Sequence, residues 1–132
     1  MKTLKEYKHI VAKKEFNTIL QKFIPFCKKE LGIKDTPNIN FVGPEVAKDK
    51  GTFGVYKKGE IFVDLHQRHP ADILRTIAHE LTHYSQHQNK EKDPHRGEAG
   101  SMSENNANIL ASIIMRKFDK KYPEIFKLSH IN

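Results

Sequence analysis

Residues 76–88, TIAHELTHYSQHQ, contain His-Glu-x-x-His at His79, Glu80 and His83, and the rest of the chain is organised around them. On an α-helix four residues turn through about 400°, so His79 and His83 leave the same face one turn apart, about 6 Å along the axis. Two imidazoles so placed can give one Zn²⁺ ion two of its ligands. Glu80, about 100° round the helix from His79, can reach a water on that ion but not the ion itself. Ile77, Ala78, Leu81 and Tyr84 supply an apolar face by which such a helix is buried. With 8 His and 10 Glu in 132 residues, the three fixed residues would match by accident in roughly 3 or 4 chains per hundred. An accidental match in a loop would lack the apolar face.

The length of 132 residues predicts a single domain over 1–132, large enough to bury a core but too small for a separate substrate domain. Cys27 is the only cysteine, which excludes an internal disulfide framework and a cysteine-based zinc site. It reads as core filler. The N-terminal stretch MKTLKEYKHIVAKKEF has no uninterrupted apolar run, and no span approaches the roughly 20 apolar residues of a membrane helix. The expectation is a soluble, non-exported, cytoplasmic protein without a membrane partner. The formal charge of +7 is concentrated in residues 1–50, which carry 11 basic and 6 acidic side chains. Pairs such as Lys13-Lys14 and Lys28-Lys29 could meet a polyanion, but there are no Arg-rich runs and no interleaved stacking aromatics. Nucleic acid is therefore a possible partner and not the favoured one.

From about Glu15 to Leu31 the residues Phe16, Ile19, Leu20, Phe23, Cys27 and Leu31 recur at steps of three and four, predicting an amphipathic helix that Pro25 should bend. Gly32 suits its C-cap. Ile39 and Phe41 alternate with Asn38 and Asn40 as in a half-buried strand ending at Gly43-Pro44. Thr52 to Tyr56 and Glu60 to Leu65, joined through Lys57-Lys58-Gly59, read as a hairpin. His66 to Pro70 breaks the pattern, and Asp72 to about Asn89 forms the helix carrying the motif, with Ile73, Ile77, Leu81 and Tyr84 as its buried stripe. Lys90 to Ser103 is a polar connection with Pro94, Gly97 and Gly100. A last helix starts near Ser101 to Ser103, with Ala107, Leu110, Ala111, Ile114, Met115 and Phe118 on its apolar face and Pro123 beyond its end. This order of elements is α+β.

A third ligand sought on the last helix leads to Glu104, 21 residues after His83, in the run Glu104-Asn105-Asn106-Ala107-Asn108. A helix terminus can present a carboxylate at a fixed distance, whereas Glu98 and His95 lie in a Gly- and Pro-containing connection that must be ordered before it can ligate. All three remain candidates. HELTH followed by Glu-x-x-Ala-Asn at the start of an apolar helix resembles the gluzincins, the thermolysin-type His₂Glu zinc peptidases. More narrowly, HELTHYSQ with ENNANILASIIMRKF, preceded by GTFGVYKKGEIFVDL, is similar to small phage-type metallopeptidases and to minimal zincins of the ImmA/IrrE and SprT-like kind. The resemblance covers Gly51 to Phe118.

It implies a minimal zincin-like fold: an N-terminal helix, a small three-stranded sheet with a hairpin, the HExxH helix and a C-terminal helix bearing the third ligand. It implies one Zn²⁺ per chain on His79, His83 and Glu104, Glu80 as general base, and a protein or peptide substrate. Glu60 to Leu65 resembles the zincin edge strand, which pairs with an extended substrate. Asn108 stands where thermolysin-type enzymes carry an acidic partner for a zinc histidine. Metzincins need a glycine and a further histidine where Gln86 and Asn89 stand, so that class is excluded. SprT-like proteins use a third histidine, which His95 could imitate, and they point to an alternative, a regulatory protease acting on nucleic-acid-bound proteins. A catalytically silent, metal-stabilised interaction module is a further alternative, against which Glu80 argues, since a structural zinc site needs no base. His87, one turn beyond His83, reads as an exposed residue or a transition-state donor; His9, His66, His69 and His130 read as surface residues.

Overall fold

The computed structural model describes residues 4–42, 54–65, 68–88 and 102–128. Gly43-Pro44, the start of the expected second strand, His66, the connection carrying His95 and Glu98, and His130 lie outside them, as do the side chains of His9 and Ser103. The fold is α+β, in the order α1 (Leu4–Leu31), β1 (Asn38–Val42), β2 (Gly54–Lys57), β3 (Glu60–Asp64), α2 (Pro70–Gln88), α3 (Met102–Lys121) and a terminal 3₁₀ turn (Pro123–Lys127).

α1 starts well before Glu15. Residues 4–14 contain no proline or glycine to stop the helix from reaching back to Leu4. The helix also continues through Pro25 to Leu31. Pro25 deprives the Gln21 carbonyl of its amide partner, and both residues are exposed, so water can serve that carbonyl. Gly32 closes the helix at φ +69°, and the Ile33 N–H donates to the Lys28 carbonyl at 3.1 Å, the wide hydrogen bond of a Schellman cap.

β2 and β3 form the expected hairpin across Lys58 and Gly59, whose φ values of 52° and 79° are those of a two-residue type I′ turn. The sheet order is β1-β3-β2, with β1 parallel and β2 antiparallel to β3. This corrects the expectation for Glu60 to Leu65: β3 is the central strand and cannot offer a free edge. Ile61 and Val63 are wholly buried and call for neighbours on both sides, whereas the short β2, with Gly54 and Lys57, suits an edge. The register puts Ile39, Phe41, Gly54, Tyr56, Ile61 and Val63 on one face of the sheet.

The core gathers Ile61 and Val63 with Phe23 and Cys27 of α1, Ile73, Leu74, Ile77 and Leu81 of α2, and Ile114, Met115 and Phe118 of α3. Phe23 and Phe118 meet edge to face at 4.9 Å between centroids. Cys27 is core filler, and burial pushes its thiol pKa up. Leu110 departs from the expected stripe: it is exposed beside Ile109 and Ile113, on the outer side of α3. The terminal turn, not expected from the sequence, buries Ile125 against the same core.

Candidate metal centre

α2 is fixed at its start by residues outside the HExxH motif. Its first residue is Pro70, preorganised for that position, and His69 acts as the cap: its Nδ1 accepts the Ala71 N–H at 3.0 Å, and its carbonyl accepts from Asp72 and Ile73. His69 is thus a structural residue and not a free surface histidine. The buried Arg68 then ties β3 to α2, donating to the Asp64 carbonyl at 2.8 Å, the Asp72 carbonyl at 3.0 Å and the Thr76 hydroxyl at 2.6 Å. α3 packs along α2, and Ala78, Ala107 and Ala111 are all buried, small residues that let two helices approach closely. Glu104 lies in the first turn of α3, where the helix dipole favours a carboxylate.

This packing brings His79, His83 and Glu104 together. The two Nε2 atoms are 3.1 Å apart; His79 Nε2 lies 2.9 Å from one Glu104 carboxylate oxygen, and His83 Nε2 lies 3.0 Å from the other. Ligands on a tetrahedral ion with bonds of 2.0–2.1 Å stand about 3.3 Å apart, so these separations are those of a donor set around one small cation. The side chains are 20%, 18% and 46% exposed, so the cluster opens to solvent on the Glu104 side. Gln86 Oε1 lies 2.9 Å from His83 Nδ1 and can only accept, so Nδ1 carries a proton, and in the neutral ring the Nε2 lone pair points into the cluster. A lone pair aimed at a carboxylate is repulsive, so the contact calls for a metal cation or a ring proton between them. Burial, then the neighbouring His83, holds the His79 pKa down against the opposing pull of Glu104, favouring the neutral imidazole that a metal takes. Asn108, one turn beyond Glu104, hydrogen-bonds the His79 ring. The residues present therefore fit a divalent ion.

Glu80 is buried beside this cluster, and burial first, then Glu104, pushes its carboxyl up to about 7. β2 covers this part of α2: an atom added at the Gly54 Cβ position would stand 3.4 Å from Glu80 Cγ. Further along, Tyr56 packs edge to face on Tyr84 and makes a 2.7 Å hydrogen bond with His87 Nδ1. His87 is exposed and held by the edge strand.

Comparison of the chain with family models, with curated proteins and with solved structures finds no match. The geometry itself is specific. An HExxH helix and a glutamate from the following helix form a His-His-Glu triad on an α+β scaffold, a match to the minimal gluzincin-like architecture. The triad is positioned to coordinate a divalent metal, as in a zincin-type hydrolytic centre. Among the described residues no helix is long and apolar enough to cross a membrane. Sequence reasoning missed Arg68, His69, Gln86 and the Gly54 contact; of these only the His69-Pro70 pair carried a local signal, that of a capped helix start.

Proposed function

We propose that the chain, as a single domain, is a zinc-dependent peptidase. The observation that carries this reading is the convergence of His79, His83 and Glu104 to about 3 Å beside the buried carboxyl of Glu80. Zinc bound there supplies Lewis acidity and makes water acidic enough to be deprotonated near neutral pH. Glu80 takes that proton at its carboxylate and returns it to the nitrogen of the departing amine, so no side-chain nucleophile is required. Asn108 and Gln86 hold the two imidazoles in orientation. β2 is the end strand of the described sheet and rests on α2 beside Glu80, which favours it as the strand along which an extended peptide pairs through backbone hydrogen bonds. A glutamate kept in a water-poor site next to the triad has no purpose in a metal-stabilised interaction module, which favours catalysis.

The test is zinc analysis of the purified chain together with a proteome-wide cleavage profile against Glu80→Gln. One zinc per chain in both forms, with cleavage lost by about 10³-fold in the variant, is expected, because the amide cannot accept the water proton. Equal cleavage by both would remove Glu80 from the mechanism.

A further inference from the structure

Gly54 stands at a contact that the metal centre alone does not require. A Cβ built on it would lie 2.4 Å from Thr76 Cγ2, closer than carbon atoms can approach, while Glu80 Cγ at 3.4 Å and the Phe62 carbonyl at 3.6 Å would remain in ordinary contact. The obstacle is thus one methyl group. Thr76 cannot simply turn it aside, because its hydroxyl is held on two sides: it accepts from Arg68 at 2.6 Å and donates to the Asp72 carbonyl at 3.1 Å. Branching at Cβ restricts χ1 further. Arg68 is itself anchored on the backbone at the end of β3 and in the first turn of α2. A chain of contacts therefore runs from Arg68 through Thr76 to the bare Cα of Gly54, one helical turn from Thr76 to Glu80.

We propose that Gly54 is a positioning residue for the hydrolytic centre: its missing side chain lets β2 rest on the Thr76–Glu80 turn, and the Arg68-clamped Thr76 sets the height at which a peptide paired with β2 meets Glu80. This rests on the peptidase reading above. A methyl group at position 54 lifts the strand away from α2. The peptide still pairs with β2 but is carried out of reach of the triad, so turnover suffers more than binding. Thr76→Ser removes the obstructing methyl and keeps the hydroxyl that Arg68 holds, so it restores the spacing when Ala occupies position 54.

The experiment compares zinc-loaded full-length wild type, Gly54→Ala, Thr76→Ser, the double variant and Glu80→Gln on a quenched fluorescent peptide selected by the wild type from a random library. Zinc content and the chelator-treated Tm of each are measured alongside. Gly54→Ala is expected to keep its zinc and lose roughly 100-fold in kcat with KM changed by no more than a few fold, the scale of a displacement of about 1 Å. Thr76→Ser alone stays within about threefold of wild type, and the double variant regains at least about tenfold of the loss together with the Tm lost by Gly54→Ala. If Gly54→Ala does not fold, Gly54→Val in the Thr76→Ser background reimposes the lift, and its kcat must fall below that of the double variant. Wild-type kcat in Gly54→Ala, or a loss that Thr76→Ser does not relieve, overturns the positioning role while Glu80→Gln remains silent. Turnover by wild type no greater than that of Glu80→Gln overturns the peptidase reading itself.

Discussion

Two polar clusters lie on α2, and they differ in how their hydrogen-bonding capacity is met. Around Arg68 the guanidinium finds two backbone carbonyls and the Thr76 hydroxyl, so a buried charge is matched within the chain. Around His79 and His83 the groups are lone-pair donors converging on one point, with a carboxylate spanning them and a second carboxyl buried nearby. The first cluster is complete and holds the start of α2 against β3. The second gathers two imidazoles and a carboxylate within reach of one cation, an arrangement suited to a ligand and not needed to join α2 to β3. Stability and chemistry are thus separated along one helix, about one to three turns apart.

The strongest way to break this comparison is to delete a ligand. His79→Ala, His83→Ala and Glu104→Ala should each lower zinc affinity by about 10³-fold, since two remaining protein groups cannot hold the ion tightly. Glu98→Ala and His95→Ala should leave it nearly unchanged, and metal titration by competition with a chromogenic chelator reads all five. A result in which His95→Ala strips the zinc and Glu104→Ala does not would move the third ligand out of α3. At the other cluster, Arg68→Met should lower stability by about 3 kcal/mol in urea unfolding, because it removes the buried donor that ties the Asp64 carbonyl at the end of β3 to the first turns of α2, yet zinc affinity of the folded fraction should hold. Parallel loss of both would show that the clusters are not separable.

The metal-free protein offers a third test, through pH. The Glu80 carboxyl titrates about 7 in the folded chain, above its ordinary range, so between roughly pH 4.5 and 7 the native state holds a proton that the unfolded state has released. The Glu80 contribution to stability falls as pH rises through that window, by up to about 1.4 kcal/mol per unit, while His79, held below its ordinary value, contributes in the opposite sense below about pH 6.5, so the Glu80 part is read as the difference between wild type and Glu80→Gln. Urea melts of the two chelator-treated proteins should show this slope in their difference. The smallest expected effect concerns orientation: Asn108→Ala should weaken zinc binding by about tenfold with unchanged stoichiometry, as loss of an outer partner of a ligating histidine does. No change in affinity would make Asn108 a bystander.

The elements read from sequence differ in what made them legible. The α1 stripe, the hairpin and its Lys58-Gly59 turn, the Gly32 cap and the α3 stripe from Ala107 to Phe118 all follow from local periodicity or local backbone demands, and the structure has them, Leu110 excepted. The early start of α1 is not legible in the sequence because the regular spacing of three and four begins only at Phe16. The passage of the helix through Pro25 depended on which side of it faces water. His69 reads as a surface residue in the sequence because what makes a histidine a cap is its bond to a backbone N–H, here that of Ala71.

By itself, the sequence determined the α+β order of elements and the placement of His79, Glu80 and His83 on a single helix, because a spacing of four on a 3.6-residue turn is a property of the chain and not of its surroundings. Only the tertiary structure decided that β3 is central and β2 the edge, that Glu104 meets both histidines, and that Arg68 clamps Thr76 under Gly54. Each of these is a distance between residues of different elements, set by how helices and strands pack to bury Ile61, Val63, Ile77 and Phe118 together. No local pattern encodes such distances, since the same stripes can be buried in more than one strand order.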